Sequence, residues 1–153
     1  MRHAFFTTAL FAALVHMMAP GFAEDMHDHV SETEGLRAIH AWTRATTDDH
    51  ALVFLEIENT SSETTTLTGA EADIAASIEI TGFQMIDGKP VYVPLPAMPI
   101  QPGRELHFEP EALALRLNDL TGPLTKGEEF GMELEFDHGH LDIHVEIEDA
   151  HAT

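Results

Sequence analysis

Residues 130–148 read FGMELEFDHGHLDIHVEIE. In the second half of this stretch Leu141, Ile143, Val145 and Ile147 alternate with Asp142, His144, Glu146 and Glu148. In the first half Met132, Leu134 and Phe136 alternate with Glu133, Glu135 and Asp137. A period of two sends one set to a buried face and the other to solvent, which is strand patterning and not helix patterning. Between the halves, Asp137-His138-Gly139-His140 reads as a hairpin turn in which Gly139 is free to take positive φ.

Outward from this hairpin the same grammar recurs. Short β-like runs fall around Ala38–Arg44, Ala51–Asn59, Thr64–Thr68, Ser77–Thr81, Val91–Val93, Arg104–Phe108 and Ala112–Leu117, separated by turn residues, and no stretch carries a helical stripe. Five of the eight prolines lie in Pro90–Pro102, which bars a central strand from most of that segment and predicts a long crossover between sheets. Eight or nine strands with such a connection predict an all-β fold, a Greek-key β-sandwich of one domain over residues 36–149 with a tail at 150–153. No internal repeat is present.

Composition narrows the function. Of 153 residues, 7 are Lys or Arg and 27 Asp or Glu, for a net charge of -20. A surface so acidic repels phosphate backbones, so no nucleic-acid partner is expected, and it attracts cations. With no cysteine, disulfides, thiolate catalysis, Cys-ligated metal sites and a bacterial lipid anchor are all excluded. The start of the chain reads as a secretory signal peptide, residues 1–23: a basic Arg2-His3, an apolar stretch from Ala4 to Val15, and small residues Gly21 and Ala23 at a cleavage site. The apolar run falls short of the roughly 20 residues needed to span a bilayer, so stable membrane insertion is not expected. Cleavage near Ala23 leaves an exported, periplasmic chain of net charge -21, opening on an acidic arm at 24–35 that is read as mobile.

Catalytic signatures are missing: there is no Gly-x-Ser-x-Gly elbow, no phosphate-binding glycine loop and no His-Glu-x-x-His pair. Carboxylate pairs such as Glu56/Glu58 and Glu133/Glu135 read as solvated strand faces. The chain is therefore read as a binding protein and not an enzyme. Its histidines are the distinctive feature. Nine remain after residue 23, and six of them (His27, His29, His138, His140, His144 and His151) fall within 24–29 or 138–153, where random placement would put roughly 1.5. Imidazole suits copper, zinc and nickel, and Asp25, Asp28, Asp137 and Asp142 add local cation affinity. His138 and His140 flank Gly139 and are placed to chelate one ion from the turn. His140 and His144 lie about 13 Å apart along a strand, too far to share an ion. Met26 with His27 and His29 offers a thioether–imidazole set for copper(I).

Residues 37–148 also resemble the PCu(A)C family of periplasmic copper chaperones. The resemblance rests on Ala41-Trp42-Thr43-Arg44-Ala45, Ile57-Glu58-Asn59-Thr60, Leu67-Thr68-Gly69-Ala70, Ala75-Ala76-Ser77-Ile78-Glu79-Ile80, Asp87-Gly88 and Pro123-Leu124-Thr125-Lys126-Gly127, in that order and spacing. It implies a cupredoxin-like sandwich that carries copper(I) toward the Cu(A) centre of cytochrome c oxidase. The family's metal motif is His, ten residues, Met, twenty-one residues, then His-x-Met. On this chain the spacing is kept, but the four positions hold Thr81, Tyr92, Ala114 and Arg116. Ala114 has no donor atom, and Arg116 puts a fixed positive charge where a cation belongs.

Two functions follow. In one, the protein is a copper-binding, chaperone-like carrier, with zinc as a further metal, that holds its metal at the His-rich ends and passes it to an apo-cuproprotein or an oxidase assembly partner. In the other it has lost metal and serves as a periplasmic binding or assembly module, with Thr81, Tyr92 and Arg116 reused as a polar recognition patch.

Overall fold

A computed structural model describes residues 30–153. The segment read as a signal peptide and Met26, His27 and His29 lie outside the described residues. The fold is all-β, a cupredoxin-like sandwich of eleven strands: β1 (Val30–Thr33), β2 (Leu36–Arg44), β3 (Ala51–Asn59), β4 (Thr65–Glu71), β5 (Ala75–Ile86), β6 (Lys89–Pro94), β7 (Met98–Ile100), β8 (Glu105–Phe108), β9 (Leu113–Leu120), β10 (Glu129–Phe136) and β11 (Gly139–Glu148). Hydrogen bonding runs in the order β6-β5-β9-β8-β3-β2-β11-β10-β4-β7, with β1 paired to β2 and a further β9–β3 pairing. Two of the pairings, β11 with β2 and β8 with β9, are parallel. The path curls on itself: Ile80 of β5 and Ile100 of β7, from strands near its opposite ends, share one core cluster.

The β10–β11 hairpin forms as its alternation predicts. Phe136 pairs with Gly139, so the loop is only Asp137 and His138, and Gly139 takes φ 142°. Leu134, Leu141, Ile143 and Val145 are buried to 3% exposure or less. Leu134 stands directly opposite Leu141. Such cross-strand pairs fix register, because a one-residue slip would turn every apolar side chain to water.

Two expectations need correction. The arm read as mobile contains β1, because Val30 to Thr33 find open backbone partners along Ile39 to Leu36. A polar segment with no alternation still adds to a sheet when an edge is available. The strands expected at Ser77–Thr81 and Val91–Val93 are one long hairpin, β5–β6, turning at Asp87-Gly88 with both residues at positive φ. Its tip runs past the core, so Met85, Ile86 and Val91 are exposed and no alternation marks it. The proline-rich crossover is as expected in kind. It leaves β6 at one end of the hydrogen-bonded path and reaches β7 at the other, so Pro90, Pro94 and Pro99 occupy terminal strands, where a missing N–H is tolerated.

One buried polar residue locks this crossover. Asn59, 1% exposed, donates from Nδ2 to the carbonyls of Glu63 and Ile100 at 2.8 Å each, and its Oδ1 accepts from Ser61 N at 3.0 Å and Ser61 Oγ at 2.7 Å. Every hydrogen-bonding position of the amide is used.

Two substitutions test this architecture by urea unfolding. Leu134→Ala is expected to cost about 2–5 kcal/mol, whereas Met85→Ala at the exposed hairpin tip stays within about 0.5 kcal/mol of the parent. Asn59→Ala, which strands two carbonyls, should cost about 1–3 kcal/mol.

Candidate functional site

The register that buries Leu134 and Leu141 also sets out the outer face of the hairpin. Glu133 stands opposite Asp142, Glu135 opposite His140 and Gly131 opposite His144. One ligand atom each from Glu133, His140 and Asp142 lie within 4.8 Å of one another, with Glu133 half-buried and the other two exposed. Strand β4 continues the row, Glu71 opposite Glu133 and Gly69 opposite Glu135. Gly69 leaves room for the Glu135 carboxylate to lie across β4, since a Cβ there would stand 2.7 Å from Oε2. The face opens onto a groove of about 870 Å³ whose lining includes Glu71, Asp73, Glu133, Glu135, Asp142 and His144.

His138 sits in the two-residue turn, 3.7 Å from the Asp137 carboxylate, and is not part of the Glu133–His140–Asp142 group. Asp137 itself is committed to β4: its Oδ1 accepts from Thr66 N at 2.9 Å and Thr65 Oγ1 at 3.3 Å. The Thr66 amide, first among the causes, holds this carboxyl below the ordinary carboxylate range. His144 stands 3.9 Å from Glu129. Glu133, read as a solvated face, is the ligand candidate that the sequence did not single out. Its place opposite Asp142 follows from the register, in which Phe136 pairs with Gly139.

A second acid–histidine group lies on β3 and β8. His107 Nε2 is 3.0 Å from Glu105 Oε1, and its Nδ1 is 3.3 Å from Glu56 Oε2. With a carboxylate on each ring nitrogen, chiefly the Glu105 hydrogen bond, the imidazole pKa is raised. One ligand atom each from Glu56, Glu105 and His107 also lie within 4.8 Å of one another, so this group meets the same geometric test as Glu133, His140 and Asp142, with the difference that a proton held between two carboxylates competes with a metal. The Glu105-x-His107 spacing was a local signal for half of it. The Glu56 contact arises from the β3–β8 register, which places Glu56 opposite His107.

The positions where the resemblance puts copper ligands do not fit a metal. Thr81 is fully buried and its Oγ1 donates to the Ala114 carbonyl at 2.8 Å. Ala114, its cross-strand partner, is fully buried too. The Tyr92 hydroxyl accepts from Glu111 N at 3.0 Å, and its ring meets Phe83 edge-on at 5.6 Å. Arg116 lies opposite Glu79 on β5 and Leu52 on β3. Thr81 and Ala114 therefore act as packing. Tyr92 and Arg116 instead border a second cavity of about 450 Å³.

The arrangement defines a small β-sandwich binding domain with an acidic outer face. Residues 36–147 match the LpqE-like lipoprotein family. The chain belongs to this family, which is the PCu(A)C-like family. No curated protein sequence gives a significant match. Among solved structures, the copper-bound PCuAC domain from PmoF2 superposes with a TM-score of 0.67 at 18% identity, over 79% of this chain and 98% of that one. The apo PCuAC domain from PmoF1 gives 0.67 at 20% identity, over 79% and 99%. Apo-DR1885 from Deinococcus radiodurans, a solution structure, gives 0.52 at 18% identity and spans 97% of each chain. At these identities the likeness is one of fold.

The His107 cluster carries a pH prediction. Its pKa is raised in the folded chain, so the stability it adds is complete below its ordinary value of about 6.5 and is lost as pH climbs through the folded value. Imidazole NMR titration should place His107 above 6.5, and Glu105→Gln should bring it down toward that value.

Proposed function

We propose that this protein is an exported copper-binding carrier of the copper-chaperone type that takes up its metal on the outer face of the β10–β11 hairpin. The observation that carries this reading is the convergence of Glu133, His140 and Asp142 within 4.8 Å. One imidazole and two carboxylates form a borderline-to-hard donor set, suited to copper(II) and other divalent ions and not to copper(I). The acidic groove beside it raises the local cation concentration. The copper-bound state of a fold relative supports copper as the cargo, and the poor fit of Thr81, Tyr92, Ala114 and Arg116 argues for a site elsewhere. His27, His29 and Met26 from the preceding arm supply further donors, and His138 and His144 flank the site. After cleavage following Ala23 the carrier works in the periplasm, handing copper to an apo-cuproprotein such as an oxidase Cu(A) subunit. It is a binding protein with no catalytic step of its own.

Titration of residues 24–153 with copper(II) against a competing chelator tests the site. His140→Ala and Asp142→Asn should each weaken binding at least tenfold, His107→Ala should leave it within about twofold, and zinc should bind more weakly than copper(II) at the same ligands. An affinity unchanged in the His140/Asp142 double variant would end this reading.

A further inference from the structure

The second cavity differs in character from the rest of the molecule. In a chain with 27 acidic side chains, two of its few arginines, Arg44 and Arg116, line one hollow together with Thr43, Thr46, His50 and Tyr92. Its remaining walls include Ala51, Leu52, Pro90 and Val91, so the charged groups face an apolar surface.

The arginines are held differently. Arg44 is fixed from behind: its Nε donates to the Ala152 carbonyl at 2.7 Å, and its guanidinium lies 5.7 Å from the Trp42 ring and 5.6 Å from Phe54. Arg116 Nε is buried and finds no hydrogen-bond partner among the described residues. Two carboxylates lie near Arg116 without bonding its Nε, and Asp49 is close enough to feel its charge. Glu79, across the β5–β9 pairing, accepts from Asn118 Nδ2 at 3.2 Å, and Asp49 is bonded to His50 at 3.0 Å. A buried donor left without an acceptor is costly. Nε itself is closed to solvent, so an anion entering the cavity would meet the part-exposed guanidinium in a charge-assisted bond and reach Nε only with a shift of the side chain.

We infer that this cavity is a binding site for a small organic monocarboxylate with an apolar body, held by Arg116 with Arg44 and packed against Tyr92, Leu52 and Val91. A cavity of about 450 Å³ is in the range of small-molecule sites. The apolar walls select a ligand with a hydrocarbon or aromatic body. The net charge of -20 disfavours multiply charged anions, which separates a monocarboxylate from phosphate. This inference does not depend on copper binding, since the cavity shares no residue with the Glu133–His140–Asp142 group.

Trp42 is the sole tryptophan and stacks near Arg44, so its fluorescence reports on the site. With EDTA present to exclude metal effects, 3-phenylpropionate should change the emission saturably, and 3-phenylpropionamide and inorganic phosphate should each bind at least tenfold more weakly. Arg116→Gln should weaken 3-phenylpropionate at least tenfold while copper(II) affinity stays within about twofold. If Arg116→Gln loses its circular dichroism signature, Arg116→Lys, which keeps the charge but not the planar fork, should weaken binding several-fold. No saturable binding, equal binding of the amide or of phosphate, or unchanged affinity in the folded Arg116 variant would overturn the assignment.

Discussion

Leu134 facing Leu141 across the β10–β11 hairpin is the contact on which the rest depends. It is fully apolar and buried, so it excludes any one-residue slip of the pairing, while the two-residue loop sets which of the remaining registers is taken. The same register that closes the core decides which side chains meet outside it. Glu133 reaches Asp142, and Glu135 stands beside His140, only because the leucines between them are in place. Shifting the pairing by one residue would bury the acids and scatter the ligand set in a single step. Core packing and the candidate metal face are thus two sides of one alternation.

The two candidate sites have opposite signs and independent supports. The groove beside β4, β10 and β11 gathers acids onto exposed strand faces, where solvation keeps them charged and cations find several carboxylates at once. The cavity near β2, β3, β6 and β9 gathers arginines against apolar walls, where lower local polarity strengthens each charge. Asp137 shows how closely related residues divide between roles. It belongs to the same acidic run as Glu133 and Glu135, yet its carboxylate binds backbone and hydroxyl of β4 and serves the fold.

What could be read from the sequence followed the reach of local periodicity. The alternating hairpin at 130–148 was legible because burial on one face writes a period of two, and the exclusion of the prolines from central strands was legible from their missing N–H. The β5–β6 hairpin and β1 were not: Met85 and Ile86 project past the core, and β1 gains its place from backbone pairing with Ile39 to Leu36, which needs no apolar pattern. Among site residues, His140 and Asp142 were legible from clustering. Glu133 and the Glu56–His107 contact required the strand register, and neither spacing nor composition carries that information.

The kept spacing of Thr81, Tyr92, Ala114 and Arg116 shows how a strand framework outlives its chemistry. Arg116 stands two residues from Ala114, itself paired with Thr81, so the framework still brings the positions together. The side chains reverse what those positions offer. Oxygen and methyl groups that satisfy or pack against neighbouring backbone replace donors open to a metal, and a guanidinium replaces a ligand. A fixed cation in that place repels copper and draws an anion, so the substitution does more than remove a function. It puts a fixed positive charge where the resemblance implies a cation, and the proposed cation site lies apart from it, on the acidic hairpin face.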